Sequence, residues 1–395
     1  MRSRRPRVRI RVAAALGIGA ALVLAASPAR AGPREQARRI HDRLVGVPPS
    51  AAVLDAMAAQ VAGGDPIAAA YQAMQNPAFY SMALRNFATP WTNVARTPFA
   101  DLNDYSATVI GMVRDDVPFD QVLSADLVYV GAPGVVGTAY SHTNNDHYAE
   151  LQESRANLGN PAVLVSATQS GLAGAQLTAA DTAGVITTRA GAEAFFSAGT
   201  NRRMLRFVSM NFLCRDLEQL KDNTRPTGRI RQDVSRSPGG DARLFLNNCV
   251  GCHSGMDPMA GAFAYYEFDA TLGRLVFTPG VVQGKFLINA NTFPQGYQTV
   301  DDRWDNYWRT GPNSALGWRG TETGGFGAKS FGREIAGSRA FSTCQVEKVF
   351  RQVCFHPPQT AQELAEVERI ATVFESQSYS MKRVFAEVAA TCRGN

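Results

Sequence analysis

The 395-residue sequence has no apolar run as long as the roughly 20 residues that a membrane-spanning helix needs. The nearest candidate, residues 12–26, contains 15 residues. Internal repeats, low-complexity tracts, phosphate-binding loops and nucleophile elbows are also lacking, as are paired carboxylates at a catalytic spacing. Because 45% of the residues are hydrophobic and 19% are charged, the chain can bury a core. This composition excludes disordered, collagen-like and membrane-embedded classes.

Residues 1–31 have the order of a secretory signal peptide. Six arginines lie between Arg2 and Arg11, the apolar run 12–26 follows, and Ala29-Arg30-Ala31 forms a small-residue cleavage site before Gly32. The sequence therefore predicts an exported mature protein of 364 residues, periplasmic, secreted or at the cell surface, without a transmembrane anchor.

The net charge of +6 belongs to this leader. The whole chain has 40 basic and 34 acidic residues, but residues 1–31 contain seven arginines and no acidic residue. The mature chain therefore has 33 basic against 34 acidic residues. Since nucleic-acid binding depends on a basic surface, we expect no nucleic-acid partner.

The pattern of apolar residues predicts a mainly α protein. A helical N-terminal region is expected over 32–225, with Ser50 at the start of one of its helices. A polar, Pro- and Gly-rich stretch over 221–241 reads as a linker or a long surface loop. A loop-rich region with a helical end follows over 226–395.

The most informative motif is Cys249-Val-Gly-Cys252-His253. Two cysteines three residues apart on a helical turn present both sulfurs to one edge of a porphyrin, where they form thioethers with its vinyl groups. The adjacent histidine is then held against the iron as the proximal ligand. The motif predicts one covalently bound heme c, and residues 226–395 become a monoheme cytochrome c-like region.

Cysteines at this spacing also occur in redox pairs and in zinc sites. A thioredoxin-type redox pair would sit in a βαβ pattern, and none surrounds the motif. A zinc site would need a second pair of ligands at regular spacing, whereas the remaining histidines and cysteines are scattered.

The segment around the motif resembles the cytochrome segment of the planctomycete-type cytochrome proteins. After the heme motif come Asp257-Pro258, a short apolar stretch, Glu267-Phe268-Asp269 and then Gly273-Arg274. Residues 43–50, 183–189 and 341–350 are similar to that family's N-terminal opening, the element before its heme domain and its closing segment. The proline-rich segment that usually precedes the heme is missing, and the insertion after Gly273 is atypical. Because the family's activity is largely unassigned, the resemblance implies an architecture rather than a reaction.

The sixth iron ligand is left open by the sequence. His147 lies in a polar loop that could fold over the heme, and it is the distal candidate, against the alternative of a hydrogen-bonded loop histidine. Met256 and Met259 lie too close to His253 to reach the opposite heme face easily, so packing at the heme edge is expected.

Three further side chains are heme-pocket candidates. Arg274 is expected either to pair with a heme propionate or to face solvent. Trp304 and Trp308 are four residues apart, which predicts one face of a helix over 301–309, lining the heme pocket or buried in the core.

The remaining cysteines are expected to form disulfides, because export favours oxidation. Cys354 continues the apolar face of a helix predicted to begin at Ser342, and Cys392 completes the apolar face of the last helix. Packing of these faces predicts the bridge Cys354–Cys392 and leaves Cys214–Cys344 by elimination. The alternative is one or more buried free thiols.

Three functions are compatible with these residues. The favoured one is an exported monoheme c-type cytochrome that passes single electrons between a redox partner protein or small molecule and its heme. An electron carrier needs only about 100 residues, so the long N-terminal half also allows a peroxidase- or oxygenase-like heme enzyme with a substrate pocket. A cell-surface binding protein with a structural heme is the third.

Overall fold

The computed structural model describes residues 31–197 and 199–394. All residues of the predicted signal peptide except the last lie outside this range. Among the described residues, no helix combines the length and the apolar character needed to cross a bilayer.

The fold is mainly α, as the sequence predicts. The α-helices of the described residues are α1 Pro33–Val45, α2 Ala51–Ala62, α3 Pro66–Ala73, α4 Arg85–Ala88, α5 Asp104–Arg114, α6 Asp146–Glu153, α7 Arg189–Phe195, α8 Arg202–Val208, α9 Ala242–Leu244, α10 Val250–Ala260, α11 Gly327–Ala336, α12 Arg339–Cys354, α13 Ala361–Ser376 and α14 Met381–Thr391. Short antiparallel strand pairs interrupt them: β1 Val128–Gly131 with β2 Leu164–Ala167, β3 Tyr266–Asp269 with β4 Arg274–Phe277, and β5 Arg303–Asp305 with β6 Gly324–Phe326.

Polar side chains fix the starts of several helices. The hydroxyl of Ser50 accepts a hydrogen bond from the backbone N–H of Val53, which confirms the predicted start of α2. Asn103 forms a capping box at α5, and Thr360 forms another with Glu363 at α13. These caps supply acceptors for backbone donors that have no partner within the helix.

One continuous apolar core contains residues from both sides of position 225. Phe79 of the N-terminal region meets Phe385 of α14 edge to face, with ring centroids 5.2 Å apart. Phe119 lies against Phe341 of α12 at 6.4 Å. The core is therefore shared across position 225. The domain boundary there stays a prediction.

The predicted helix over 301–309 is wrong. The segment forms strand β5 and then a short 3₁₀ turn, Tyr307–Arg309, with Trp308 N–H bonded to the side chain of Asn306. Pairing with β6 overrides the helical spacing of Trp304 and Trp308. Both indoles are buried, in agreement with the core alternative.

Two more local predictions need correction. Helix α12 begins at Arg339 with Ser338 as its cap, and Ser342 is a buried residue inside that helix. The stretch 221–241 is not simply a surface loop, because Ile230 and Arg231 are almost completely buried.

Candidate functional site

The heme motif lies in a helical segment that changes from π-helical to α-helical geometry after Cys249. Helix α9 continues through a π-helical turn, Phe245–Cys249, into α10. Cys249, Cys252 and His253 are spaced i, i+3 and i+4, so they share one face of the segment. π-helical turns inside α-helices often mark functional sites.

Two glycines, Gly251 and Gly255, lie on the opposite face of α10, where the helix packs against neighbouring segments. A Cβ atom at Gly255 would overlap the indole of Trp308, and one at Gly251 would overlap the side-chain oxygen of Asn223. Because the indole of Trp308 is buried, Gly255 has no room for a side chain, and the helix approaches the indole closely there. This docking leaves the face that carries the cysteines and His253 partly accessible.

The two motif cysteines are unpaired in the structure. Disulfides join Cys214 to Cys344 and Cys354 to Cys392, the pairings that the sequence favours. Cys249 and Cys252 are both free and half-buried. The motif therefore keeps two thiols that the disulfide framework does not use.

Cys252 lies in a partly buried environment. Burial is the largest influence and raises the pKa of this thiol, with Lys221 opposing the rise. In a redox pair only the attacking cysteine needs a lowered pKa, so the raised pKa of Cys252 does not distinguish a redox pair from heme-attachment cysteines.

His253 is held by a carboxylate one helical turn away. Its Nδ1 lies 3.1 Å from Oδ1 of Asp257, whose side chain is 0% exposed. Asp257 also accepts two hydrogen bonds from Arg202, at 2.7 and 2.9 Å, and one from the backbone N–H of Arg231 at 3.1 Å. Arg202 in turn pairs with Asp233.

This network determines the protonation of Asp257. Burial alone would raise the pKa of the carboxyl, but the charges of Arg202 and Arg231 and the hydrogen bond from His253 lower it well below its ordinary value. An ionised carboxylate only accepts hydrogen bonds, so Nδ1 of His253 carries the proton. The lone pair then lies on Nε2, which makes no hydrogen bond to any residue that the structure describes.

Apolar side chains next to the motif are unusually accessible. Leu244 is 45% exposed and Leu246 is 55% exposed, in the helical segment that leads directly to Cys249. Two free thiols, an imidazole with a free Nε2 and neighbouring apolar surface are the groups that a thioether-linked heme requires. The residues present fit heme c, with Cys249 and Cys252 for attachment and His253 for the iron.

His147 is not placed as a distal ligand would have to be. It is buried in α6, where Nε2 accepts a hydrogen bond from the N–H of Gly131 at 2.8 Å and Nδ1 donates one to the carbonyl of Thr138 at 2.7 Å. Both ring nitrogens are occupied, so no lone pair is available for iron. The geometry favours the alternative, a hydrogen-bonded structural histidine.

Both methionines near the motif are core residues. Met256 is 5% exposed and Met259 is fully buried within the shared apolar core. Both side chains pack in the core, and their packing at the heme edge stays a prediction.

Arg274 lies in strand β4, and its side chain contacts the N-terminal region rather than the heme motif. It donates a hydrogen bond to the carbonyl of Gly174 and lines a small pocket of about 30 Å³ together with Asp104, Tyr140 and His142. No residue of the heme motif lines that pocket. A pairing of Arg274 with a heme propionate stays a prediction.

Sequence reasoning missed the partners of His253. Asp257 follows His253 by four residues, so the helical spacing alone could have identified it as a neighbour. Arg202 and Asp233 come from distant segments, and no local pattern indicates them.

In the described ranges, no group of three or more His, Cys, Asp or Glu side chains is arranged to hold a metal ion.

Comparison of the chain with models of protein families, with curated proteins and with solved structures finds no match.

Proposed function

We propose that this protein is an exported monoheme c-type cytochrome that transfers single electrons through a covalently bound heme. The observation that carries the proposal is the grouping of Cys249, Cys252 and His253 on one accessible helix face, with both thiols free and Nε2 of His253 unoccupied. The resemblance to the planctomycete-type cytochrome proteins supports the same assignment. The signal-like residues 1–31 support maturation outside the cytoplasm.

Each residue of the motif has a distinct task in this function. Cys249 and Cys252 would hold the group by two thioether bonds. His253 would supply Nε2 to the iron, and Asp257 keeps the imidazole oriented through Nδ1. Heme bound in this way supplies reversible one-electron chemistry.

The rigid setting of α10 suits electron transfer. The glycine face of the helix is docked against Trp308 and Asn223, and the network of Asp257 ties α10 to α8. A carrier benefits when its ligands move little between oxidation states, and these contacts restrict the movement of His253. The electron donor and acceptor are a redox partner protein or a small molecule.

Optical spectra of the purified protein in both oxidation states, combined with a potentiometric titration, test this function. We expect a low-spin ferrous spectrum of a c-type heme and a reversible titration with a one-electron slope. The absence of a c-type spectrum from protein made in a host that matures such cytochromes would end the proposal. A Cys249→Ala/Cys252→Ala variant serves as the control.

A second candidate, which the length of the N-terminal region allows, is a heme enzyme with a substrate pocket in that region. Such an enzyme would have an open iron site. A high-spin ferrous spectrum, rapid carbon monoxide binding and fast reaction with peroxide would favour it over the carrier.

A further inference from the structure

A buried carboxylate contacts the motif histidine on the nitrogen that does not face outward. Oδ1 of Asp257 lies 3.1 Å from Nδ1 of His253, and the two side chains are one turn apart on α10. The imidazole is 21% exposed and the carboxylate is fully buried. The pair therefore has a solvent-facing end at Nε2 and a buried end at the carboxylate.

The charge on Asp257 is maintained by geometry. Arg202 donates hydrogen bonds to both carboxylate oxygens of Asp257, from Nε to Oδ1 and from Nη2 to Oδ2. The backbone N–H of Arg231 adds a third donor, and its guanidinium lies 4.0 Å from Oδ1. A carboxylate held by this many donors stays ionised and is fixed in position.

The consequence for His253 is both orientational and electronic. A hydrogen bond from Nδ1–H to an anion fixes the ring plane and selects the tautomer whose lone pair is on Nε2. It also makes the imidazole a stronger electron donor, and such hydrogen bonds tune metal-bound histidines. A stronger donor stabilises the oxidised iron relative to the reduced iron.

We propose that Asp257 is a positioning residue that fixes the tautomer of His253 and lowers the reduction potential of the heme bound there. This inference rests on the proposed function for the potential, whereas the tautomer is a property of the chain itself. A purely structural role, in which Asp257 only ties α8 to α10, makes different predictions.

The matched control is Asp233. It forms the same type of bidentate pair with Arg202, at 2.6 and 2.8 Å, and no hydrogen bond joins it to His253. Asp257→Asn and Asp233→Asn therefore each remove one carboxylate charge that pairs with Arg202. Only Asp257→Asn also removes the negative charge next to the imidazole of His253.

The first measurement is the midpoint potential of the heme-loaded proteins. We expect Asp257→Asn to reduce the ratio of oxidised to reduced protein at a fixed ambient potential at least tenfold, a positive shift of about 59 mV for one electron. Asp233→Asn should shift the midpoint potential by less than a third of that amount. Equal shifts in the two variants, or none in Asp257→Asn, would leave Asp257 with a structural role and overturn the proposal.

The second measurement does not depend on heme. In the heme-free chain with ¹⁵N-labelled histidines, the ring nitrogen shifts of His253, assigned with a His253→Gln variant, should show a proton on Nδ1. A wild-type ring protonated on Nε2 would overturn the inference, even if Asp257→Asn fails to fold. A chain that takes up no heme but shows the Nδ1–H tautomer would refute the proposed function and leave the positioning role of Asp257 standing.

Discussion

Removal of the bridge between Cys354 and Cys392 gives a stability change whose size follows from the structure. The bridge links the last residue of α12 to the residue after α14 and closes a loop of 38 residues. In the chain-entropy model, such a loop stabilises the fold by about 4 kcal/mol, because the cross-link restricts the unfolded chain. The longer bridge, Cys214–Cys344, has a separation of 130 and contributes about 5 kcal/mol.

The two values differ by only about 1 kcal/mol although the loop lengths differ more than threefold, because the entropy depends on the logarithm of length. We therefore expect Cys354→Ser/Cys392→Ser and Cys214→Ser/Cys344→Ser to lose similar free energies of unfolding in urea. Both variants should also show a larger m-value, since the unfolded chain without the cross-link exposes more surface.

The control is the wild-type protein with its disulfides reduced, which keeps the sulfur atoms in the core and removes only the cross-links. Peptide mapping without reduction should recover Cys354 and Cys392 in one linked fragment. A loss below about 1 kcal/mol for the Cys354/Cys392 variant would show that the cross-link does not stabilise the fold through chain entropy. A linked fragment that joins Cys354 to Cys214 would show that the pairing itself is wrong.

Three further predictions concern single side chains. His147→Ala should lower the free energy of unfolding by about 1–3 kcal/mol, because the buried N–H of Gly131 loses its acceptor; the heme spectrum should not change, and a shift to high spin would restore His147 as a ligand. Gly255→Ala should cost about 1–3 kcal/mol through overlap with Trp308, with Gly284→Ala, where the space is open, as a neutral control; equal effects would contradict the tight docking of α10. Burial is the main cause that lowers the pKa of Lys285 to about 8 in the folded protein, against 10.5 in the unfolded chain, so the unfolded chain binds more protons between these pH values. The stability of the wild type relative to Lys285→Met should therefore rise by up to about 3 kcal/mol from pH 8 to pH 10.5, and a flat or falling difference in urea titrations would contradict the burial of the amine.

The parts of the fold that the sequence predicts well are those that depend on neighbouring residues. The helix after Ser50 follows from a side-chain cap and the apolar spacing behind it, and both are local. The bridge Cys354–Cys392 could be inferred because each cysteine extends an apolar helix face, and such faces pack together. Local pattern and tertiary contact agree at these positions.

Other features depend on partners that are distant in sequence. The spacing of Trp304 and Trp308 indicates a helix, yet pairing of β5 with β6 decides the backbone there. His147 looks available in sequence, but Gly131 and Thr138 occupy its nitrogens only in the folded chain. Within the candidate site, the sequence predicts the heme motif over 249–253. It does not indicate Arg202, which binds Asp257 in the folded chain.

Covalent attachment of one heme to Cys249 and Cys252 can be checked by the intact mass of the denatured protein, produced in a host that matures c-type cytochromes. We expect a mass that exceeds the polypeptide by one heme, with the added mass on a peptide that contains both cysteines. The Cys249→Ala/Cys252→Ala variant should carry no added mass. A wild-type mass equal to that of the bare chain, with two titratable thiols at these positions, would contradict the assignment of this protein as a c-type cytochrome.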